Sequence, residues 1–567
     1  MKTILAIVSI ILVYALLEYG LNLPKDVGHD VPQGKLNSLS FAPYRDGQGP
    51  LDEIFPSPEE VEADMQLMSK KTHSIRTYAS AEGTMPLIPG LARKYGLNLL
   101  QGAWLGGEAD DNQKEIAELI RSANQNTDVV KRVIVGNEVL LRGDLEPEEL
   151  IGYIREVKRA IKQPVSYADV WSMYMKHPQL IKEVDFITIH ILPYWEDEPI
   201  SVELAPAHIE RIYKQVQNEA FALVPNIPIL IGESGWPSAG RQRGHAIPGV
   251  INEAQFIRAL IEVANKNGFD YNIVEAFNQS WKTALEGVVG GNWGLYTIDR
   301  NEVFPLTGHV YEHSNWFNRT LLAIGFFVLL AGASWNKLKN LPIKHQLSWL
   351  LILQILIVLL VKQSSFLWYT SYSDWQRLGT IFIVAINLTL SGLIIWRCYC
   401  QLAGQAFTLE LGNRLYQLYF GLGILGIFRT LTLAINGRYI SFPNYSALIP
   451  AVGILALWFI SYQLKGLIQP FTTSFDIKTL TGSEQKYRQW DKKLAVLLLV
   501  TMLLLIIGET KAFVVARDLI EAYPGFGERL FTSLSFTLTN CQLITWLLCL
   551  TVPLLPFWIS GRLANQA

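Results

Sequence analysis

Cysteine is scarce and unevenly placed. The 567-residue chain holds four, Cys398, Cys400, Cys541 and Cys549, none of them in its first half. The first half therefore has neither a disulfide nor thiol chemistry. Cys398 and Cys400 form a C-x-C pair rather than a metal-ligand spacing, and read as packing residues near a membrane face. Charge of one sign is lacking as well: the net charge is −2, which gives no footprint for nucleic acid. No Gly-rich nucleotide loop and no D-x-D with Q-x-x-R-W pattern is present. That excludes a nucleotide-sugar polymerase and an ATP-driven exporter. Beyond about residue 315 the lack is of polar residues, and long apolar runs take over. A chain with two such unlike halves predicts more than one domain.

The amino terminus, MKTILAIVSIILVYALLEYG, has one lysine and then an uncharged apolar run from Thr3 to Leu17. The run is short for a spanning helix and long enough for a signal sequence. No small-x-small cleavage site precedes Asn22, which favours an uncleaved anchor over residues 1–23. Either reading puts the following segment across the membrane.

From about residue 36 to about 304, short β-rich runs alternate with amphipathic stretches. The strand candidates are LNSLSFAPY (36–44), SIRTYAS (74–80), LNLLQGAWLG (97–106), RVIVGNEV (132–139), QPVSYADVW (163–171), DFITIHILPYW (185–195), IPILIGESGW (227–236) and YNIVEAFNQSW (271–281). Helical stretches fall between them, one opened by Ser57-Pro58-Glu59-Glu60, a capping signal. Eight alternations over roughly 270 residues have the size and rhythm of a (β/α)8 TIM barrel, an α/β fold. A doubly wound open sheet is the alternative, but would want the phosphate-binding first turn that is absent. We place this domain at 30–315.

Two of the apolar runs end in glutamate, Glu138 after VGN and Glu233 in GESGWPS. Apolar, β-branched runs read as parallel strands buried on both faces. The residue closing such a strand lies at the C-terminal rim of the barrel, where active sites are built. A pair of carboxylates flanking one sugar is the minimum for breaking a glycosidic bond, one protonated and one ionised. The bland alternative, two glutamates serving as salt-bridge partners or loop caps, fits less well when both sit at strand ends.

These motifs resemble glycoside hydrolase family 17, the β-1,3-glucanase family of the retaining (β/α)8 clan. VGNEV (135–139) with GESGWPS (232–238) carries the resemblance, and IRTYAS, HILPYWED, EAFNQSWK and NWGLYTIDR support it along the domain. The resemblance implies that Glu138 is the acid/base, Glu233 the nucleophile, and Asn137 a contact to the sugar 2-hydroxyl. The pattern is closer to the bacterial membrane-linked branch, whose members build β-(1,6)/(1,3)-glucan, than to secreted plant enzymes. Family members often carry an acidic pair where this chain has Asn278-Gln279. Gln279 offers hydrogen bonds to sugar hydroxyls but no charge.

Aromatic residues crowd the same rim: Tyr44, Tyr78, Trp104, Trp171, Tyr194, Trp195, Trp236, Trp281 and Trp293. Sugar rings stack their C–H faces on such rings, and we expect Tyr194, Trp195, Trp236 and Trp281 to face ligand, with Tyr78 beside them. Arg76 reads as the cation that keeps a carboxylate ionised or as a barrel-layer ion pair. Lys282 and Glu275 are weaker candidates. His190 reads as a satisfied polar group near the site rather than a base. The acidic loop GGEADD (106–111) reads as a solvated turn, so we expect no metal and no cofactor.

After residue 316, apolar runs at 320–335, 347–361, 378–396, 415–435, 446–464, 494–508 and 533–557 give seven candidate spans, eight with the amino-terminal one. This predicts an all-α multi-span transmembrane domain over 316–567. With a cytoplasmic amino terminus, the inside loops hold Lys337, Lys339, Lys344, Arg397, Arg414, Lys465, Lys478, Lys486, Arg488, Lys492 and Lys493. The later outside loops hold only Lys362, Arg377, Arg438, Lys511, Arg517 and Arg529. The bias puts both termini inside and the barrel on the periplasmic or extracytoplasmic face of a bacterial inner membrane. Aromatics at 366–375 suit an outer interfacial belt. Arg429 should face the bundle interior or snorkel to an edge. Gln354, Asn387 and Gln417 should line a groove or bond helices together.

The sequence thus predicts a membrane-anchored enzyme acting on β-glucan polysaccharide or oligosaccharide, with transfer favoured over hydrolysis. Besides membrane lipid, its partner would be a glucan synthase or export protein docked on the helices, unless these only anchor. The alternatives are a β-1,3-glucan hydrolase, a catalytically silent glucan-binding subunit, and a transporter with an appended sugar sensor.

Overall fold

A computed structural model describes residues 1–465, 471–484 and 488–563. Lys486, counted above on the inner side, lies outside the described residues. The chain divides into two compact units, Pro24–Glu312 and Met1–Leu23 with His313–Ala567.

In the first unit, eight parallel strands close a barrel in sequence order. They are β1 (Leu36–Ser40), β2 (Thr72–Arg76), β3 (Asn98–Ala103), β4 (Val130–Asn137), β5 (Val165–Val170), β6 (Ile187–His190), β7 (Ile229–Ser234) and β8 (Asp270–Ile273). All eight expected strands are present, each ending before its apolar run does, because the last residues turn into loops at the rim. Crossover helices pack outside: Pro58–Met68, Ala109–Gln125, Pro147–Ala160, Ala205–Leu223 and Val250–Asn267 among them. The first starts as expected. Ser57 Oγ accepts from Glu60 N at 3.2 Å, and Glu60 Oε2 accepts from Ser57 N at 2.8 Å, satisfying two orphan amides.

Side chains alternate along each strand. One face buries Leu39, Ile75, Leu99, Val133, Ile189 and Ile231 against the helices. A second small cluster, Leu100, Ile134, Ala168, Phe186 and Leu230, is formed by the residues of opposite parity that fill the barrel. Above it the interior turns polar, with Arg76, His190, Ser40 and Asn272 all buried. Gly232 is needed there: a Cβ would sit 2.3 Å from Thr188 Cγ2. The registers of β6 with β7 and β7 with β8 both shift near their ends. The first shift pairs Glu233 with His190.

The second unit contains eight helices long and apolar enough to cross a membrane among the described residues. They are Lys2–Leu21, Trp316–Ala333, Ile343–Tyr369, Asp374–Leu402, Leu409–Ile435, Asn444–Leu464, Gln489–Val514 and Cys541–Arg562. The last expected span, 533–557, straddles a break. Helix Phe526–Thr539 ends there and a new helix starts at Cys541, capped by Asn540 Oδ1, which accepts from Gln542 N at 3.0 Å and Leu543 N at 3.1 Å. Gln354 and Asn387 are buried, and Asn387 Nδ2 donates to Ser446 O at 3.2 Å, a bond between helices as expected. Gln417 departs from expectation: it and Arg429 lie on exposed helix faces. Cys398 and Cys400 are buried packing residues.

Candidate active site

Glu138 follows β4 directly, with φ of 53° in the left-handed region. A non-glycine residue there costs of order 1 kcal/mol or more. The turn swings its side chain over the barrel mouth, while its amide donates to Ala168 O at 2.8 Å. Glu233 comes from β7, where the register shift places it opposite His190. Their side chains are 25% and 11% exposed, buried enough for strong electrostatics and open enough to meet a substrate.

His190 joins the two. Its Nδ1 lies 2.8 Å from Glu138 Oε1 and its Nε2 lies 3.6 Å from Glu233 Oε1. One nitrogen of His190 and one oxygen of each glutamate all fall within 4.8 Å of one another. Such spacing would also suit a cation, but the Arg76 guanidinium on Glu233 would repel a metal. Arg76 is buried and spends its fork three ways. Nη1 donates to Gly232 O at 2.8 Å and to Glu233 Oε1 at 3.0 Å, and Nη2 donates to Asn137 Oδ1 at 2.5 Å. One cation therefore fixes the side chains at the ends of β4 and β7 together.

The titrations follow from this wiring. Burial pushes the Glu138 carboxyl up, but the hydrogen bond and charge of His190, then Arg142 and Arg76, outweigh it and hold it below the usual range. Burial raises Asp169, at the end of β5, to about 6; Tyr167 hydrogen-bonds to it and opposes the rise, while Glu138 adds to it. Burial lifts Glu275 to about 7 even though Lys282 Nζ donates to both its oxygens at 3.0 Å. Glu286 is raised by burial and then by Glu138 and Glu233, against Lys282.

The expected ligand-facing residues divide. Arg76, Asn137, Tyr78 and Lys282 gather around the two glutamates. Tyr78 lies under the Arg76 guanidinium at 4.8 Å and donates to Ser40 Oγ at 3.0 Å. Trp195 is partly exposed, parallel to Trp293 at 6.3 Å, and Trp281 is partly exposed with Nε1 donating to Gln279 Oε1 at 2.9 Å. Three expectations are corrected. Trp236 is fully buried against Phe256, its Nε1 donating to Ile247 O at 2.9 Å. Tyr194 is fully buried, its hydroxyl donating to Arg241 O at 2.5 Å. Gln279 is fully buried, its amide donating to Ala42 O and Phe277 O. Trp236 and Tyr194 spend their polar groups on main chain, and Gln279 divides its amide between main chain and the Trp281 indole, so these three are scaffolding under the rim. The acidic stretch GGEADD is a turn only over 106–108; Ala109, Asp110 and Asp111 open the helix Ala109–Gln125, and Asn112 exchanges 2.8 Å bonds with both the amide and the carbonyl of Gly106.

Asp169 and Glu286 escaped the sequence reading. Asp169 lies inside an expected strand run and Glu286 two strides beyond Lys282 on a helix, and neither stands in a motif that marks a carboxylate as special. His190 was placed near the site, but its contact with both acids depends on the shifted register.

Residues 38–294 match the BtgE/BtgC glycoside hydrolase domain. A glucan 1,3-beta-glucosidase of Arthroderma benhamiae is 28% identical over 262 residues, 43% of this chain and 83% of that protein. One of Schizosaccharomyces pombe is 27% identical over 259 residues, 42% of this chain and 79% of that protein. A glycoside hydrolase family 17 β-1,3-glucanosyltransferase structure from Rhizomucor miehei aligns with 47% of this chain and 95% of its own, at 25% identity and a TM-score of 0.41. Over residues 38–294 the barrel of this chain is thus similar to the BtgE/BtgC glycoside hydrolase domain.

Proposed function

We propose that this protein is a membrane-anchored, retaining β-1,3-glucan-active enzyme that transfers glucosyl units to glucan acceptors, elongating chains or making β-1,6 links. The observation that carries the reading is the approach of the two acids, with an oxygen of each within 4.8 Å. Retaining enzymes hold their carboxyls about 5–5.5 Å apart, and inverting ones need room for a water and hold them about 6.5–9.5 Å apart.

In the first step, ionised Glu233 attacks the anomeric carbon while Glu138 protonates the departing glycosidic oxygen. A glucosyl ester forms on Glu233 and the shortened chain leaves. In the second step, Glu138, now ionised, takes a proton from an acceptor hydroxyl that attacks the ester. Arg76 hydrogen-bonds Glu233 and Asn137 together and orients Asn137 toward the sugar 2-hydroxyl.

Glu138 needs a proton for the first step, whereas its pairing with His190 holds it ionised in the free enzyme. Excluding water over the site when a glucan binds penalises a charged carboxylate, which favours the protonated Glu138 that the first step uses.

The eight apolar helices support a multi-pass anchor, with residues 1–23 and 316–567 forming it and 30–315 the catalytic domain. The lysine and arginine bias supports a barrel on the extracytoplasmic side, and the resemblance to the bacterial branch supports a bacterial cell membrane. The helices would also give a glucan synthase or export partner a surface.

The test is to incubate the full-length protein, in nanodiscs, with β-1,3-linked oligoglucosides and to weigh the products by mass spectrometry. Products longer than the starting sugar are expected. Only shorter products would make the enzyme a hydrolase, and none at all would leave a glucan-binding subunit.

A further inference from the structure

Trp104 follows β3 and shares the parity of Leu100, which lies inside the barrel, so it stands over the barrel mouth. It is 39% exposed, and no other tryptophan among the described residues of Pro24–Glu312 is as open. Exposed as it is, it is not loosely held. Its amide donates to Glu115 Oε2 at 3.3 Å, and the next turn is locked by the Gly106–Asn112 exchange. The Arg142 guanidinium stacks on the ring at 4.3 Å from its centroid.

Arg142 is fixed in turn. Nε donates to Asp144 Oδ2 at 2.7 Å, Nη2 to Leu105 O at 2.8 Å, and Nη1 to the carbonyl of Asn137. That carbonyl belongs to the residue before Glu138, so the ring is wired to the end of β4 that presents the acid. A large aromatic kept in water and immobilised at the mouth of a sugar site has its ordering cost already met before a ligand arrives.

We propose that Trp104, braced by Arg142, is a stacking platform for a glucosyl unit beyond the two sugars that react, and that it makes the enzyme prefer long β-glucan chains. This rests on the β-glucan reading above. The ring presents a flat apolar face to the C–H side of a hexopyranose, and its place at the mouth puts that face along the path of a chain threaded past Glu138.

The test compares wild type, Trp104→Ala and Trp104→Phe, full length in nanodiscs, on β-1,3-linked oligoglucosides from the disaccharide upward. The readout is the ratio of kcat/KM for the longest to the shortest substrate. In Trp104→Ala the ratio falls about tenfold, as loss of one stacked ring would give, through KM rather than kcat, and Trp104→Phe recovers most of it. A ratio that stays within about twofold of wild type overturns the proposal. So does an equal loss at every length, which would mean Trp104 only props up Arg142 and Asn137. If wild type acts on none of these sugars, the β-glucan reading itself has failed, a result distinct from either.

Discussion

Replacing Arg76 tests the wiring of the site where it is most concentrated. The guanidinium is 1% exposed and makes three bonds, two of them to groups that meet the sugar in our reading, Glu233 Oε1 at 3.0 Å and Asn137 Oδ1 at 2.5 Å. Hydrogen bonds involving a charged partner are worth about 1.5–3 kcal/mol net. Losing the two that reach reacting groups, at about 1.5–2 kcal/mol each, removes about 3–4 kcal/mol of transition-state stabilisation, or a factor of about 10²–10³. Arg76→Met should therefore lower kcat/KM on an aryl β-glucoside by that factor. It should also cost the barrel about 3–5 kcal/mol, because it strands a buried carboxylate without its cation. Arg76→Lys keeps the charge but not the planar fork, so it cannot serve β4 and β7 at once, and its loss should stop at about 10–30-fold. Near-ultraviolet circular dichroism checks that the barrel remains packed in each variant. An Arg76→Met enzyme with more than about a tenth of wild-type kcat/KM would refute the reasoning. Lysine and methionine variants equally impaired would show that geometry rather than charge is at stake.

Other expectations follow from the titrations. In His190→Phe, Glu138 loses the partner that outweighs its burial, so its ionisation moves up and the alkaline limb of kcat/KM should move to higher pH. A limb that stays put or moves down would contradict the pairing. Burial, then Glu115 and Glu53, raises the Glu82 carboxyl to about 7. A carboxyl raised in the folded state binds its proton more tightly there than in the unfolded chain. Its stabilising contribution is thus complete below about pH 4.5 and lost as pH rises to about 7. The thermal midpoint of the barrel should fall less over that window in Glu82→Gln than in wild type, and parallel curves would dismiss the assignment.

What the sequence disclosed and what it hid have physical causes. Glu138 and Glu233 were visible because a doubly buried parallel strand must be apolar along its length, so an acid at its end stands out. The eightfold alternation was visible for the same reason. Tyr194, Trp236 and Gln279 misled, because a polar-tipped residue near a strand end reads alike whether its tip meets a ligand or a main-chain carbonyl. The loop carrying Arg241 and Ile247 decides that for Tyr194 and Trp236, and Ala42 and Phe277 decide it for Gln279, by supplying the acceptors. The contact of His190 with both acids hinges on the register shift at the ends of β6 and β7, and a one-residue slip changes which side chains face each other. In the helical unit the apolar run 533–557 conceals a break that only Asn540 marks.

The central claim is a glucosyl ester on Glu233, formed while Glu138 supplies the proton. Its most direct test is to treat the full-length protein with an activated 2-fluoro-β-glucoside and map the adduct by peptide mass spectrometry. A single glucosyl label is expected on Glu233, absent in Glu233→Ala. A label on any other carboxylate, or turnover with no adduct from a substrate shown to bind, would contradict it.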